Sequence, residues 1–408
     1  MVFSLKTQKI VTLLITLSIV TIEIAASFNS ALLPNLRADL VISEQLAQWT
    51  ISATLMALAF SGLIYGVLSE RYGRRPVILF GMLLFCFGAL GSAVASTIEW
   101  LLTARVLQGF GAGVGWIVGN ACLKDLFDGD DYTKAMNQVH AVAGIVPALA
   151  PSLGAYLADI IGWRLCFFLT FLLGVIALIA KIKKLPETHF DQKQIPLKFL
   201  IPTYLGLFKN TKYLVFTSIK VMCVMLLFVE SANVPLIFVE HLGIPAKYYG
   251  FYIIPVFTVY VLGSYFSSKL CQLFSIEKVL GAGLLSMALS NILILVFDGA
   301  LPLFFPNSGT LTALQIQGLK LLTYLGWGFV FGNATAGLIS SAPGQAGAAS
   351  AMMIALEMVF SSLGIYGLGF FFNGSIIPLS ILMLGVSFFC IGILIIGKNY
   401  YKLRSRQN

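Results

Sequence analysis

Ionisable side chains interrupt stretches of this chain that are otherwise apolar: Glu23 in TIEIAASFNSALLP, Arg105 in LLTARVLQGFGAG, then Lys220, Glu230, Lys320 and Glu357. A charge facing hydrocarbon costs several kcal/mol, so such groups by default mark substrate pathways or proton relays. A carboxylate there can carry a proton, and the balance between its burial and a nearby cation sets when it does so. A structural reading stands beside each. Glu23 could hydrogen-bond a neighbouring helix, Arg105 could hold backbone carbonyls, Lys220 could snorkel to an interface, and Glu357 could simply pack.

The elements that must position these groups follow from composition. Of 408 residues, 58% are hydrophobic and only 11% charged, and the mean hydropathy is +0.92, far too apolar for a soluble chain of this length. Crossing about 30 Å of hydrocarbon takes roughly 20 residues at about 1.5 Å each. The apolar runs predict spans near 10–35, 46–67, 76–96, 98–120, 135–160 and 163–181, then 213–237, 248–268, 277–297, 313–338, 347–372 and 376–397. This is an all-α membrane protein of twelve transmembrane helices in two sets of six. The domains are an N-terminal bundle over 1–181, a cytoplasmic linker over 182–212 and a C-terminal bundle over 213–408.

Basic residues set the orientation. With the N-terminus inside, inner loops collect Lys6, Lys9, Arg71, Arg74, Arg75, Lys124, Lys183, Lys184, Lys269 and Lys278, whereas outer loops keep Arg37, Arg164 and Lys247. Both termini are therefore expected inside. The formal charge of +9 is read as this topology signal, with anionic membrane lipids as partners and no nucleic acid. The first helix is an uncleaved span rather than a signal peptide, since its apolar run is too long and eleven more follow. Cys86, Cys122, Cys166, Cys223, Cys271 and Cys390 form no CxxC pair, so no metal or disulfide framework is expected. HExxH, GxSxG and GxxxxGK[ST] patterns are absent, which points away from an enzyme, a cofactor and an ATP-driven pump.

Thr12, Thr16, Glu23, Ser27 and Ser30 fall within an arc of roughly 60° on the first helix, a polar stripe. Counting rise per residue puts Glu23 about 20 Å above the cytoplasmic edge and Arg105 about 10 Å below the outer edge, at nearly one level. Gln108 shares a face with Arg105. Lys320 falls near the same depth and Glu230 closer to the outside. Gly109 with Gly113, and Gly111 with Gly115 and Gly119, recur every four residues and suit close helix approach. Pro147, Pro151 and Gly154 weaken the fifth helix and allow a bend there.

Three stretches carry a family resemblance. GVLSERYGRRPVIL, with Gly66, Glu70, Arg71, Gly73, Arg74 and Arg75, resembles the loop signature of the major facilitator superfamily, with Glu70 where the acid is usually Asp. LLTARVLQGFGAG is similar to its fourth-helix motif, and AGIVPALAPSLGAYL to the fifth-helix motif of its antiporter branch. GWRLCFFL followed by KLPET is similar to Bcr/CflA-type drug-resistance transporters, whose usual first-span Asp is Ser30 here.

The resemblance implies a cavity lined by spans 1, 4, 7 and 10, alternating access, a monomer, and multidrug efflux by proton antiport across a bacterial inner membrane. On that basis Glu23 and Arg105 are the proton-coupling pair, and Ser27, Ser30, Gln108, Glu230 and Lys320 line the cavity for a small-molecule substrate. The Glu70–Arg75 cluster then latches the cytoplasmic side. Cationic drugs would use the acids, whereas a carboxylate-bearing metabolite or siderophore, exported or taken up, would use the bases. A non-transporting receptor would not need the polar stripe.

Overall fold

A computed structural model describes residues 4–127, 129–189, 205–300, 311–342 and 346–404. Among them the regular structure is helical, with no strand. The chain divides into two compact units, Met1–Leu200 and Ile201–Asn408. Of the expected linker at 182–212, residues 190–204 lie outside the described residues, while 182–184 complete one helix and 211–212 begin the next.

The first unit contains α1 (Leu5–Leu40), α2 (Glu44–Tyr72), α3 (Arg74–Ala93), α4 (Ile98–Leu126) and α5 (Gly129–Lys184). Short polar residues start these helices by accepting an otherwise unpaired backbone N–H. Ser4 accepts from Thr7, Ser43 from Leu46, and Thr97 from Trp100. α1 closes on Val41, whose φ of 52° lets its N–H reach the Arg37 carbonyl. α5 is two helical arms separated at Gly162 (φ 81°), a left-handed conformation that glycine adopts without strain. The expected weak point at Pro147, Pro151 and Gly154 stays helical. The Pro147 side chain lies outside the described residues.

The second unit contains α6 (Thr211–Leu236), α7 (Ala246–Leu273), α8 (Ile276–Ile294), α9 (Ala313–Ser341), α10 (Ala346–Gly369) and α11 (Ile377–Arg404). α6 and α8 each continue into a π-helical turn, at Ile237–His241 and Leu295–Ala300. α9 begins with a capping box in which Thr312 and Gln315 bond each other's backbone N–H, satisfying two orphan donors.

The two units repeat one packing scheme. In the first, α4 lies against α2 and α3, while α5 lies against α1 and α3. In the second, α9 lies against α7 and α8, α10 against α6, and α11 against α8. With the arms of α5 taken as fifth and sixth segments, the pairs correspond one to one. α4 is the hub of the first unit because its glycines point three ways. Gly109 and Gly113 meet Thr54 and Ser61 of α2, Gly111 meets Phe85 of α3, and Gly115 and Gly119 meet Ile22 and Ile15 of α1. Absent side chains let backbones approach where lipid supplies no hydrophobic drive.

Among the described residues, nine helices are long and apolar enough to cross a membrane, or ten when α2, bent by 41° near Gly62, is one span. The protein is therefore a multi-pass, all-helical membrane protein. α9, expected as the span 313–338, falls outside that set, and it carries Gln315, Gln317, Lys320 and Asn333.

Candidate functional site

Three polar centres emerge inside the units. The first is on α1. Glu23 is half-buried and its Oε1 accepts from the indole Nε1 of Trp116 on α4 at 3.0 Å. The rest of the stripe turns back on its own helix: Thr12 donates to the Gln8 carbonyl, Thr16 to Thr12, and Ser30 to Ser27. Hydroxyls bonded to a carbonyl one turn back are satisfied locally, so Glu23 alone of the stripe reaches another helix through its side chain among the described residues.

The second centre is on α4. Arg105, 1% exposed, donates from Nη1 to Gln108 Oε1 and lies over the Phe167 ring of α5, Cζ 5.2 Å from the centroid. A cation on an aromatic face recovers part of its lost hydration. Arg105 Nε and Gln108 Nε2 are buried without a hydrogen-bond partner.

The expected partnership of Glu23 with Arg105 is not what the structure builds. Trp116 stands eleven residues beyond Arg105, about 16 Å along α4, and Ile22 beside Gly115 confirms that level. The depth estimate assumed that both helices ended at the hydrocarbon edge. Instead the contacts between α1 and α4 set the register, and they place Trp116, three turns from Arg105, level with Glu23.

The third centre is in the second unit. Lys320 Nζ of α9 is 2.9 Å from Glu230 Oε2 of α6, with side chains 0% and 4% exposed. The ammonium also approaches Met383 Sδ of α11 at 3.7 Å. The aromatic residues of α9 descend from this pair. Phe257 and Tyr324 are 5.4 Å apart, Tyr324 and Trp327 4.7 Å, and Trp327 stacks on Phe331 at 6.1 Å. Lys320 and Glu230, predicted separately, are thus brought into one buried ion pair.

The Gly66–Arg75 stretch differs from a loop. α2 continues through Gly66, Glu70 and Arg71 to Tyr72, and only Gly73 (φ 94°) separates it from α3. Arg74 is buried. Its Nε contacts Asp125 Oδ2 at 3.0 Å and its Nη1 donates to Ser69 Oγ at 2.7 Å. The Glu187 carboxylate, from KLPET, accepts the backbone N–H groups of Arg74 (2.8 Å) and Arg75 (3.1 Å). A carboxylate on a helix N-terminus is favoured by both the free donors and the dipole. Arg75 Nη2 reaches the Ile182 carbonyl, whereas Glu70 joins none of these bonds and Arg71 is exposed over Tyr72.

Asp125, Glu187 and Thr188, which donates to Asp125 at 3.2 Å, were missed by sequence reasoning. Their one signal was an acid near each helix end opposite an arginine-rich turn. At the α5 break, Trp163 and Arg164 both donate to Asp39 of α1, and Arg164 also bonds the Ala95 carbonyl. Gly154 lies against Phe28 of α1.

Comparison with known proteins accords with this architecture. The chain is 25% identical to the bicyclomycin resistance protein homolog of Haemophilus influenzae over 257 residues, 62% of this chain and 64% of that one. It is 29% identical to the chloramphenicol resistance protein CraA of Acinetobacter baumannii over 289 residues, 70% of each. The match thus spans less than two thirds of the first relative's length. The solved structure of the xylose transporter XylE from E. coli, partially occluded and inward open, superposes with a TM-score of 0.71 over 95% of this chain and 96% of that one. At 13% identity that likeness concerns the fold alone. A family model described as Major Facilitator Superfamily matches residues 15–365; with the repeated six-segment packing and the apolar spans, it establishes that this chain belongs to the major facilitator superfamily.

Proposed function

We propose that the protein is a proton-coupled secondary transporter that exports drug-like or amphipathic small molecules by alternating access. In this reading twelve helices span a bacterial inner membrane with both termini in the cytoplasm, as the distribution of Lys and Arg favours. The resistance proteins named above support a drug-like substrate.

One observation carries the coupling. Glu23 sits in an apolar helix with a neutral indole, not a cation, as its hydrogen-bond partner. Such a carboxylate can be loaded and unloaded without breaking an ion pair. Proton entry from outside and release inside would drive substrate outward. Arg105, with Gln108 and two unpartnered donors beside it, suits recognition of an acceptor oxygen on a neutral ligand. Ser27, Ser30, Glu230 and Lys320 are retained as candidate cavity residues. For the carboxylate-bearing alternative Arg105 would be the cation, since Lys320 is already matched by Glu230.

The test uses purified protein in liposomes loaded with a pH-sensitive dye and challenged with chloramphenicol, a lipophilic cation and a dicarboxylate. Proton movement on adding one of the first two, abolished in Glu23→Gln with substrate exchange retained, is the expected result. Coupling at wild-type rate in Glu23→Gln, or response to the dicarboxylate alone, would sink this reading.

A further inference from the structure

The second unit contains another carboxylate, one that the scheme above does not use. Glu357 on α10 is 6% exposed, and its Oε1 is buried without a hydrogen-bond partner. α10 packs against α6, the helix that carries the cation Lys220. In the structure, however, the Lys220 ammonium is seated over the Phe331 ring of α9, 4.3 Å from the centroid. Phe331 is itself backed by stacked Trp327. Lys220 and Phe331 are both partly exposed. The other titratable group beside Lys220 is the Cys223 thiol of α6, with Cys390 of α11 next to it.

We infer that Glu357 and Lys220 form a second proton-exchange site, in which the Phe331 ring is the alternative seat of the ammonium. The physical argument is one of compensation. An ionised carboxylate at this burial needs a cation, and the helix against which α10 packs supplies Lys220. When Glu357 takes a proton from water, its O–H becomes a donor and its negative charge is gone. The ammonium, which cannot be left unsolvated at low cost, is then held by the aromatic face. On deprotonation the proton returns to water and Lys220 moves back to the carboxylate. The geometry contrasts with Glu230, whose ion pair with Lys320 is closed at 2.9 Å about 15 Å further along α6. The inference deepens the proposed function by adding a proton site to it, yet proton binding at Glu357 can be read without any transport.

The experiment is an infrared difference titration of the purified full-length protein in heavy water, following the C=O stretch of protonated buried carboxyls as pH is stepped. One titrating component is expected to vanish in Glu357→Gln, return in Glu357→Asp, and persist in Glu23→Gln. Lys220→Met and Phe331→Leu both keep the carboxyl and are expected to shift the pH at which that component disappears. They also decide the matter should Glu357→Gln fail to fold. A spectrum unchanged in Glu357→Gln, or a component indifferent to Lys220→Met and Phe331→Leu, would overturn the inference. Absence of coupled flux in liposomes with this component present would instead count against the transport reading alone.

Discussion

Several charges inside the helices are characterised by what stands against them. Glu230 has an ammonium, Glu23 an indole, Lys220 a ring, and Arg105 an amide and a ring. The closed pair has a consequence for stability. Removing one partner leaves an uncompensated buried charge, which costs about 3–5 kcal/mol, whereas replacing both by apolar residues is far milder. Lys320→Met alone should therefore lower the melting temperature in detergent markedly, and Lys320→Met combined with Glu230→Leu should recover most of it. Equal losses in the single and double variants would mean that the pair is not the stabilising unit. The existence of these charges was legible in the sequence, because an acid or base in an apolar run stands out. Their partners were not, since depth along one helix says nothing about register against another.

At the scale of the helix, the glycines divide by what they face. A Cβ at Gly111 would run into the backbone of Phe85 and Gly81, whereas one at Gly66 would meet nothing within 4 Å. Gly111→Ala should cost about 1–3 kcal/mol through forced separation of α3 and α4. Gly66→Ala, in mid-helix and open space, should be neutral or stabilise by up to about 1 kcal/mol. Thermal unfolding of the two variants side by side checks this, and a Gly66→Ala loss as large as that of Gly111→Ala would refute it. The four-residue recurrence was visible in the sequence, but which neighbour each glycine admits was not. Likewise the arginine-rich stretch reads as a loop in sequence. It is a one-residue turn because both flanking helices extend past the apolar run, where helix geometry continues at no hydrophobic cost.

At the scale of the whole molecule, the two units repeat one packing order, and the charge bias supplies the expected orientation. Val41, 90% exposed at the α1–α2 turn, and Lys183, exposed at the end of α5, should lie on opposite sides of the membrane. In a background where native cysteines are replaced, Val41→Cys should react with an impermeant maleimide from outside the cell and Lys183→Cys only in inverted vesicles. The reverse pattern would invert the topology.

The sequence by itself determined that the chain is helical, that it resides in a membrane, and that a few charges are out of place there. These follow from hydropathy and residue type, which are properties of each segment alone. Only the tertiary structure decided that Glu23 meets Trp116 and not Arg105, that Lys320 closes on Glu230, and that Glu187 caps α3 across more than a hundred residues of chain. Those outcomes depend on the axial register and facing of packed helices. Register is fixed by side-chain volume at the contacts, here by glycines on α4 meeting Ile15 and Ile22, and no single segment contains that information.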